Sequence, residues 1–248
     1  MVNLVLEKAL DFRRSIDAIA VLIDEAEFCI SEKGLELKAT DPSQISMVDF
    51  SLEKKFFKKY DVSSSVKIGI DLVQLKDIMA RATAKDSLEL SLEDEGTRLS
   101  ATFIGGSKRS FSIPLIDIST SELPQPKIEF DAEVKMKASV IQEGLKDASL
   151  ISNHVILGVT ASSFTISAKS SKGNLHNETD KKDKDMVELK AKSECAAMYP
   201  LDYLQDMLKA ADSKTDVRLS LKGDAPVEIS YAIGPANVTY FLAPRIEN

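Results

Sequence analysis

The sequence predicts an α+β chain of two similar domains, each with two helices packed on mainly antiparallel sheets. Three observations lead there. The 248 residues match themselves without a gap at a shift of 129 positions, which takes Leu72 onto Leu201. Helix-period apolar stripes recur in both copies, and short alternating runs joined by turns fill the rest. The composition fits a folded chain: it is 44% hydrophobic, while 10 Gly and 8 Pro are too few for collagen-like or mucin-like sequence. Two distant cysteines, Cys29 and Cys195, exclude a disulfide scaffold and read as small buried hydrophobes. The longest apolar run, Ala18–Ile23, is far short of the roughly 20 residues of a membrane span.

The repeat keeps apolar character and phase through every kind of element. Leu75 meets Leu204, Met79 meets Leu208, and Leu88, Leu90 and Leu92 meet Val217, Leu219 and Leu221. Phe28 and Ile30 meet Leu157 and Val159, and Ile104-Gly105 meets Ile233-Gly234. The domains are therefore placed at residues 1–115 and 128–248. Between them, Ile116–Lys127 carries Pro124 and Pro126, which remove donors and favour extended chain, so it reads as a connector.

In the first copy a helix is expected over Phe12, Ile16, Ile19 and Ile23, spaced by one turn each, with its second copy over Ser139–Ile151. Runs at Glu27–Ile30 and Leu35–Thr40 follow, separated by a turn in which Gly34 supplies a positive φ. Runs at Ile45–Leu52 and Val66–Ile70 precede a second helix, Leu72–Ala82, for which Asp71 is the expected N-cap. Strands are then expected at Leu88–Leu92, Leu99–Ile104 and Ser110–Leu115. One stretch breaks the register: apolar Ile45–Leu52 corresponds to polar Asn174–Lys181, and Asp180–Asp185 reads as a solvated loop.

No catalytic constellation emerges. His154 and His176 have no partner at metal-ligand spacing, and both read as structural or surface residues. Gly105-Gly106-Ser107-Lys108 lacks the spacing of a phosphate loop and reads as a hairpin turn. Alternating lysines and the lack of a loop glycine argue against calcium at Asp180–Asp185. The expectation is a chain without enzymatic activity, metal or cofactor. Charges at Glu7, Lys8 and Asp11 interrupt any export signal, so no export is expected. The net charge of −7 argues mildly against a plain nucleic-acid binder, although charge can be segregated by face.

Several strings nevertheless resemble one family. Leu22–Ala26 (LIDEA), Ala39–Ser46 (ATDPSQIS), Asp147–Ser152 (DASLIS) and the ending Tyr240–Glu247 (YFLAPRIE) are similar to DNA sliding clamps of the proliferating cell nuclear antigen type, in particular archaeal ones. The resemblance implies a DNA clamp fold and a head-to-tail homotrimeric ring that encircles duplex DNA without reading its sequence. It also implies partners in replication and repair: DNA polymerase, clamp loader, flap endonuclease, DNA ligase and other proteins with short clamp-binding peptides.

By the same resemblance, Arg13, Arg14, Arg81, Lys146 and Lys209 face DNA, while two positions often lysine in the family fall on Ala20 and Asp77. The partner-peptide pocket maps to Asp41, Pro42, Ser43, Gln44 and Ile45, to Leu123 and Pro124, to Pro226, and to the tail Phe241, Leu242, Ala243, Pro244, Arg245 and Ile246. Ile45, Leu123, Pro226 and Leu242 are expected to line it, with tail backbone near Ala243 open to strand addition. Subunit contacts map to Lys108, Arg109, Phe111 and Ile113 of one chain and to Ile151, Asn174, Leu175 and His176 of its neighbour. Polar residues such as Asn174 and His176 keep a heterotrimeric or checkpoint-type clamp open as an alternative, as is a protein scaffold that never encircles DNA.

Overall fold

The computed structural model describes residues 2–118 and 126–245. They form two compact units: one of Met1–Pro42, Val48–Pro124 and Ile233–Val238, the other of Ser43–Met47, Gln125–Ala232 and Thr239–Asn248.

In chain order the first copy of the repeat runs β1 (Val2–Leu6), α1 (Ala9–Ile19), β2 (Glu25–Ser31), β3 (Gly34–Thr40), β4 (Ser46–Glu53), β5 (Lys59–Val62), β6 (Val66–Asp71), α2 (Leu72–Met79), β7 (Ser87–Glu93), β8 (Arg98–Ile104) and β9 (Lys108–Pro114). The second runs β10 (Ala132–Lys137), α3 (Ala138–Ser149), β11 (His154–Val159), β12 (Ser163–Ser170), β13 (Gly173–Asp180), β14 (Met186–Ala191), β15 (Cys195–Pro200), α4 (Leu201–Leu208), β16 (Asp216–Leu221), β17 (Val227–Ile233) and β18 (Ala236–Leu242). Element for element the two orders are the same.

Pairing repeats as well. The antiparallel ladder β5-β1-β7-β8 has its counterpart in β14-β10-β16-β17, and β3-β2-β6 in β12-β11-β15. Strand β9 continues the first ladder and ends that sheet, while β13 pairs with β12 and ends its own.

Each helix pair covers its core with one face. Phe12, Ile16 and Ile19 of α1 are at most 2% exposed, as are Leu72, Leu75 and Met79 of α2. In the second copy Ile141, Leu145, Leu204 and Met207 do the same. Each such side chain contributes roughly 1.5–3 kcal/mol by leaving water. Asp71 caps α2 as expected, its Oδ1 accepting from the Gln74 N–H at 2.9 Å. Buried tyrosines find partners: the Tyr231 hydroxyl donates to the Met207 carbonyl at 2.5 Å, and burial pushes that phenol up to about 12.

Several expectations need correction. Helix α1 stops at Ile19; Ile23 is buried but lies in the following turn, where its N–H reaches the Ile19 carbonyl. Helix α2 stops at Met79, because the N–H groups of Arg81 and Ala82 bond three residues back and tighten the last turn. Asn174–Lys181 is mostly the edge strand β13, in which only Thr179 is buried, so no apolar alternation marks it. The exposed charged turn after it begins only beyond Asp180, the last residue of β13. Cys29 is half-buried, whereas Cys195 is buried. Gly34 has φ +146°, and a Cβ there would lie 2.2 Å from the Leu52 carbonyl oxygen.

Candidate nucleic-acid and partner-binding surfaces

Helices α1 and α2 pack side by side, as do α3 and α4, leaving one face of each outside its own core. Arg14 and Arg81 are exposed on the first pair. Arg13 is more committed: its Nη1 donates to the Ala80 carbonyl at 3.4 Å and its Nε lies 3.7 Å from the Asp17 carboxylate. Lys146 and Lys209 are exposed on the second pair, with the Lys146 ammonium 2.6 Å from Glu143. That exposed pair is worth about 0–1 kcal/mol and exchanges readily for another anion. The same faces carry Asp17 and Asp77, and Glu143, Asp147, Asp202 and Asp206, so these surfaces are of mixed sign.

Position 13 of the first copy is position 142 of the second. Gln142 Nε2 donates to the carbonyls of Leu208 and Ala211 at 2.9 and 3.0 Å. Arg13 and Gln142 thus both fasten the first helix of a copy to the open carbonyl end of the second. In the second unit a groove of about 420 Å³ remains between α3 and α4, with Lys146 and Lys209 on its lining beside Gln142 and Gln205.

Among the pocket residues, Asp41 is buried, and Pro42, Ser43 and Gln44 are exposed, Gln44 with φ +58°. Ile45 and Pro226 are half-buried. The second unit brings Ile45 to the tail: the Ala243 N–H donates to the Ile45 carbonyl at 2.8 Å. The Arg245 N–H donates to the Met198 carbonyl of β15 at 2.7 Å, and its Nη1 lies 2.6 Å from His154 Nε2. These two backbone donors are therefore taken, and Pro244 between them has none.

Phe241 and Leu242, at the end of β18, are 4% and 0% exposed. Leu123, Pro124 and Ile246 lie outside the described residues.

Alternation along β9 sorts the subunit-contact residues. Lys108, Ser110, Ser112 and Pro114 point outward, and Arg109, Phe111 and Ile113 inward. Ile113 is 0% exposed, and the half-buried Arg109 guanidinium pairs with Asp86 of its own chain. In the second unit Ile151 lies against the start of β13, where a Cβ on Gly173 would be 3.8 Å from its Cδ1. Leu175 is half-buried, and Asn174 and His176 are exposed. The His176 ring accepts from or donates to Ser167 Oγ at 3.0 Å. Leu150 stands 73% exposed just after α3, beside Ile151.

Among the described residues no group of three His, Cys, Asp or Glu side chains can hold a metal, and no helix is long and apolar enough to cross a membrane.

Two copies of one domain, each with paired helices and mostly antiparallel sheets, define the DNA clamp fold. Residues 1–122 match the proliferating cell nuclear antigen N-terminal domain and residues 125–246 its C-terminal domain. The chain belongs to the proliferating cell nuclear antigen family. It is 35% identical over 246 residues to DNA polymerase sliding clamp 1 of Thermococcus kodakarensis, covering 99% of this chain and 98% of that one. It is 35% identical over 242 residues to the DNA polymerase sliding clamp of Methanococcus vannielii, covering 96% of each. Its fold matches PCNA from Thermococcus kodakaraensis with TM-score 0.94 at 25% identity, over 99% of this chain and 100% of that one. It matches A. fulgidus PCNA, solved with the C-terminal region of FEN-1 bound, with TM-score 0.90 at 29% identity over 100% of both.

Proposed function

We propose that this chain is a DNA polymerase processivity factor, a sliding clamp without catalytic activity of its own. Three copies close head to tail around duplex DNA in the cytoplasm, beside the chromosome. The ring tethers polymerase, clamp loader, flap endonuclease, DNA ligase and other partners through short peptides. The observation that carries this reading is that β9 and β13, the strands to which subunit contact maps, are two of the six strands that end a sheet among the described residues. A strand edge invites pairing with another chain, and a closed head-to-tail contact removes such edges.

Enclosure holds DNA without strong contacts, so helix faces of mixed sign suit a ring that must move. Arg13, Arg14, Arg81, Lys146 and Lys209 meet phosphates, which carry no sequence information. Ile45, Pro226 and the tail through Arg245 form the described part of the peptide site.

Sedimentation of the purified chain tests this. The expected species has about three times the 27.2 kDa mass of one chain; a single chain at every concentration contradicts the reading. The polar side chains of β13, Asn174 and His176, favour one second reading, a subunit of a mixed trimer. That reading predicts a trimer only when a second kind of clamp chain is added.

A further inference from the structure

Asp86 follows the exit of α2, and its side chain is 3% exposed. Its Oδ2 accepts from the Thr83 N–H at 2.8 Å, from Thr83 Oγ1 at 2.9 Å and from Arg109 Nη2 at 2.5 Å. The Thr83 backbone bond leads in holding this carboxyl below its ordinary value of 3.8; burial opposes, and the Thr83 hydroxyl and Arg109 add to the lowering. The other arm of the guanidinium donates to the Arg81 carbonyl at 3.1 Å, and its carbon lies 5.2 Å from the Phe103 ring centroid. The Asp86 carbonyl accepts from the Ala9 N–H at the start of α1. The β8–β9 turn closes on the carboxylate so tightly that a Cβ on Gly105 would lie 2.3 Å from Asp86 Oδ1. Asp86 thus reaches the start of α1 through its backbone carbonyl, and through its carboxylate it holds the exit of α2 and strand β9 beside the β8–β9 turn.

The second copy is an internal control. At the repeat shift of 129, Asp86 becomes Thr215, Thr83 becomes Asp212 and Arg109 becomes Val238. The backbone frame stays: the Ala138 N–H reaches the Thr215 carbonyl at 2.8 Å, as the Ala9 N–H reaches the Asp86 carbonyl at 2.9 Å. The Thr215 N–H reaches the Asp212 carbonyl, as the Asp86 N–H reaches that of Thr83. This frame therefore forms without the ion pair. A buried ion pair is also a poor source of stability, because desolvation offsets its Coulomb attraction. Its value lies in fixing geometry, and what it fixes is the inner face of β9, where Arg109 takes the place of an apolar side chain in line with Phe111 and Ile113.

We propose that Asp86 and Arg109 are positioning residues that lock the open strand β9 to the turn carrying Arg81, so that β9 presents a fixed backbone edge to a second copy of this chain. The inference rests on the clamp reading and adds the device that sets its closing edge. The surface that meets the neighbour is the outward row Lys108, Ser110 and Ser112 with the β9 backbone. Arg109 acts through the strand it holds.

The test gives the first copy the residues of the second, in the full-length chain: D86T/R109V. The readouts are circular dichroism with thermal unfolding, the trimer dissociation constant from a dilution series, and hydrogen exchange of the β9 amides. The expected result is a folded chain whose trimer dissociation constant rises at least tenfold, with faster exchange confined to β9 and the β8–β9 turn. R109V alone should weaken the trimer more than the double variant, since it leaves the buried Asp86 carboxylate without its cation. R109K, which keeps charge but loses the two-armed fork, should also weaken it. A folded double variant with a wild-type dissociation constant overturns the inference and leaves the clamp reading standing. An unfolded double variant overturns it too, because the lock is then needed for the fold. A wild-type chain that never trimerises removes the clamp reading and this inference with it.

Discussion

Arg245 is the second-copy twin of Ile116, and the two make the same hydrogen bond. The Ile116 N–H donates to the Gly69 carbonyl of β6 at 3.0 Å, and 129 positions later the Arg245 N–H donates to the Met198 carbonyl of β15 at 2.7 Å. The beginning of the connector and the C-terminal tail are therefore one element used twice. Each leaves the last strand of its copy and docks on an open strand of the other sheet within its own unit. In the first copy the chain continues into the second domain; in the second copy the same element is the C-terminal tail, where we propose that partner peptides dock.

Gly69 is required by that docking, since a Cβ would lie 2.1 Å from the Ile116 carbonyl oxygen. Gly69→Ala should cost about 1–3 kcal/mol in urea unfolding and speed exchange of the Ile116 amide. A variant as stable as wild type, with that amide still protected, would show that the bridge holds nothing in place.

Arg13 shares its helix-fastening role with Gln142, which carries no charge. Arg13→Gln should therefore leave the unfolding temperature unchanged while removing one cation from the DNA-facing set. Binding of a short duplex at low salt should weaken, and its dependence on log salt should become shallower by about one. An unchanged slope would remove Arg13 from that set.

The peptide pocket separates into open and closed residues. Ile45 is half-buried, so Ile45→Ser should lower affinity for a clamp-binding peptide about tenfold, or roughly 1.4 kcal/mol, without unfolding the chain. Leu242 is sealed at 0% exposed. Leu242→Ser should instead cost about 3–5 kcal/mol of stability, seen first in thermal unfolding. Full peptide affinity in Ile45→Ser would move the pocket elsewhere.

Acid should act through Asp86 and Asp216. Thr83 leads in depressing the first carboxyl, and the hydrogen bond from Lys137 leads in depressing the second, with burial opposing both. A depressed carboxyl stabilises the fold fully above its unfolded value and ceases to do so as pH falls through its lower folded value. Stability should therefore hold down to about pH 4 and drop below it. D86T/R109V should show a shallower drop, and an identical acid profile would mean that Asp86 is not among the groups that titrate on unfolding.

The repeat was legible because Leu75, Leu204 and their neighbours keep apolar phase in both copies, and it carried the fold class and most elements. Strand β5 escaped because none of its four residues is buried, and β13 because only Thr179 is. Strand β1 alternates buried and half-buried residues, but its five residues are nearly all apolar and show no polar alternation in the sequence. The DNA-facing and pocket residues came from family resemblance rather than pattern, and resemblance does not report burial, so the sealing of Leu242 and Ile113 was not legible in the sequence. The Asp86–Arg109 lock joins residues 23 positions apart with no motif between them. It becomes visible only when the two copies are compared side by side.

Retention on circular DNA tests the central claim most directly. With a clamp loader and ATP, the loaded chain should remain on a closed circle through a high-salt wash and leave once the circle is cut to linear form. Loss from the intact circle, or retention after cutting, would mean that the protein holds DNA by adhesion and does not surround it.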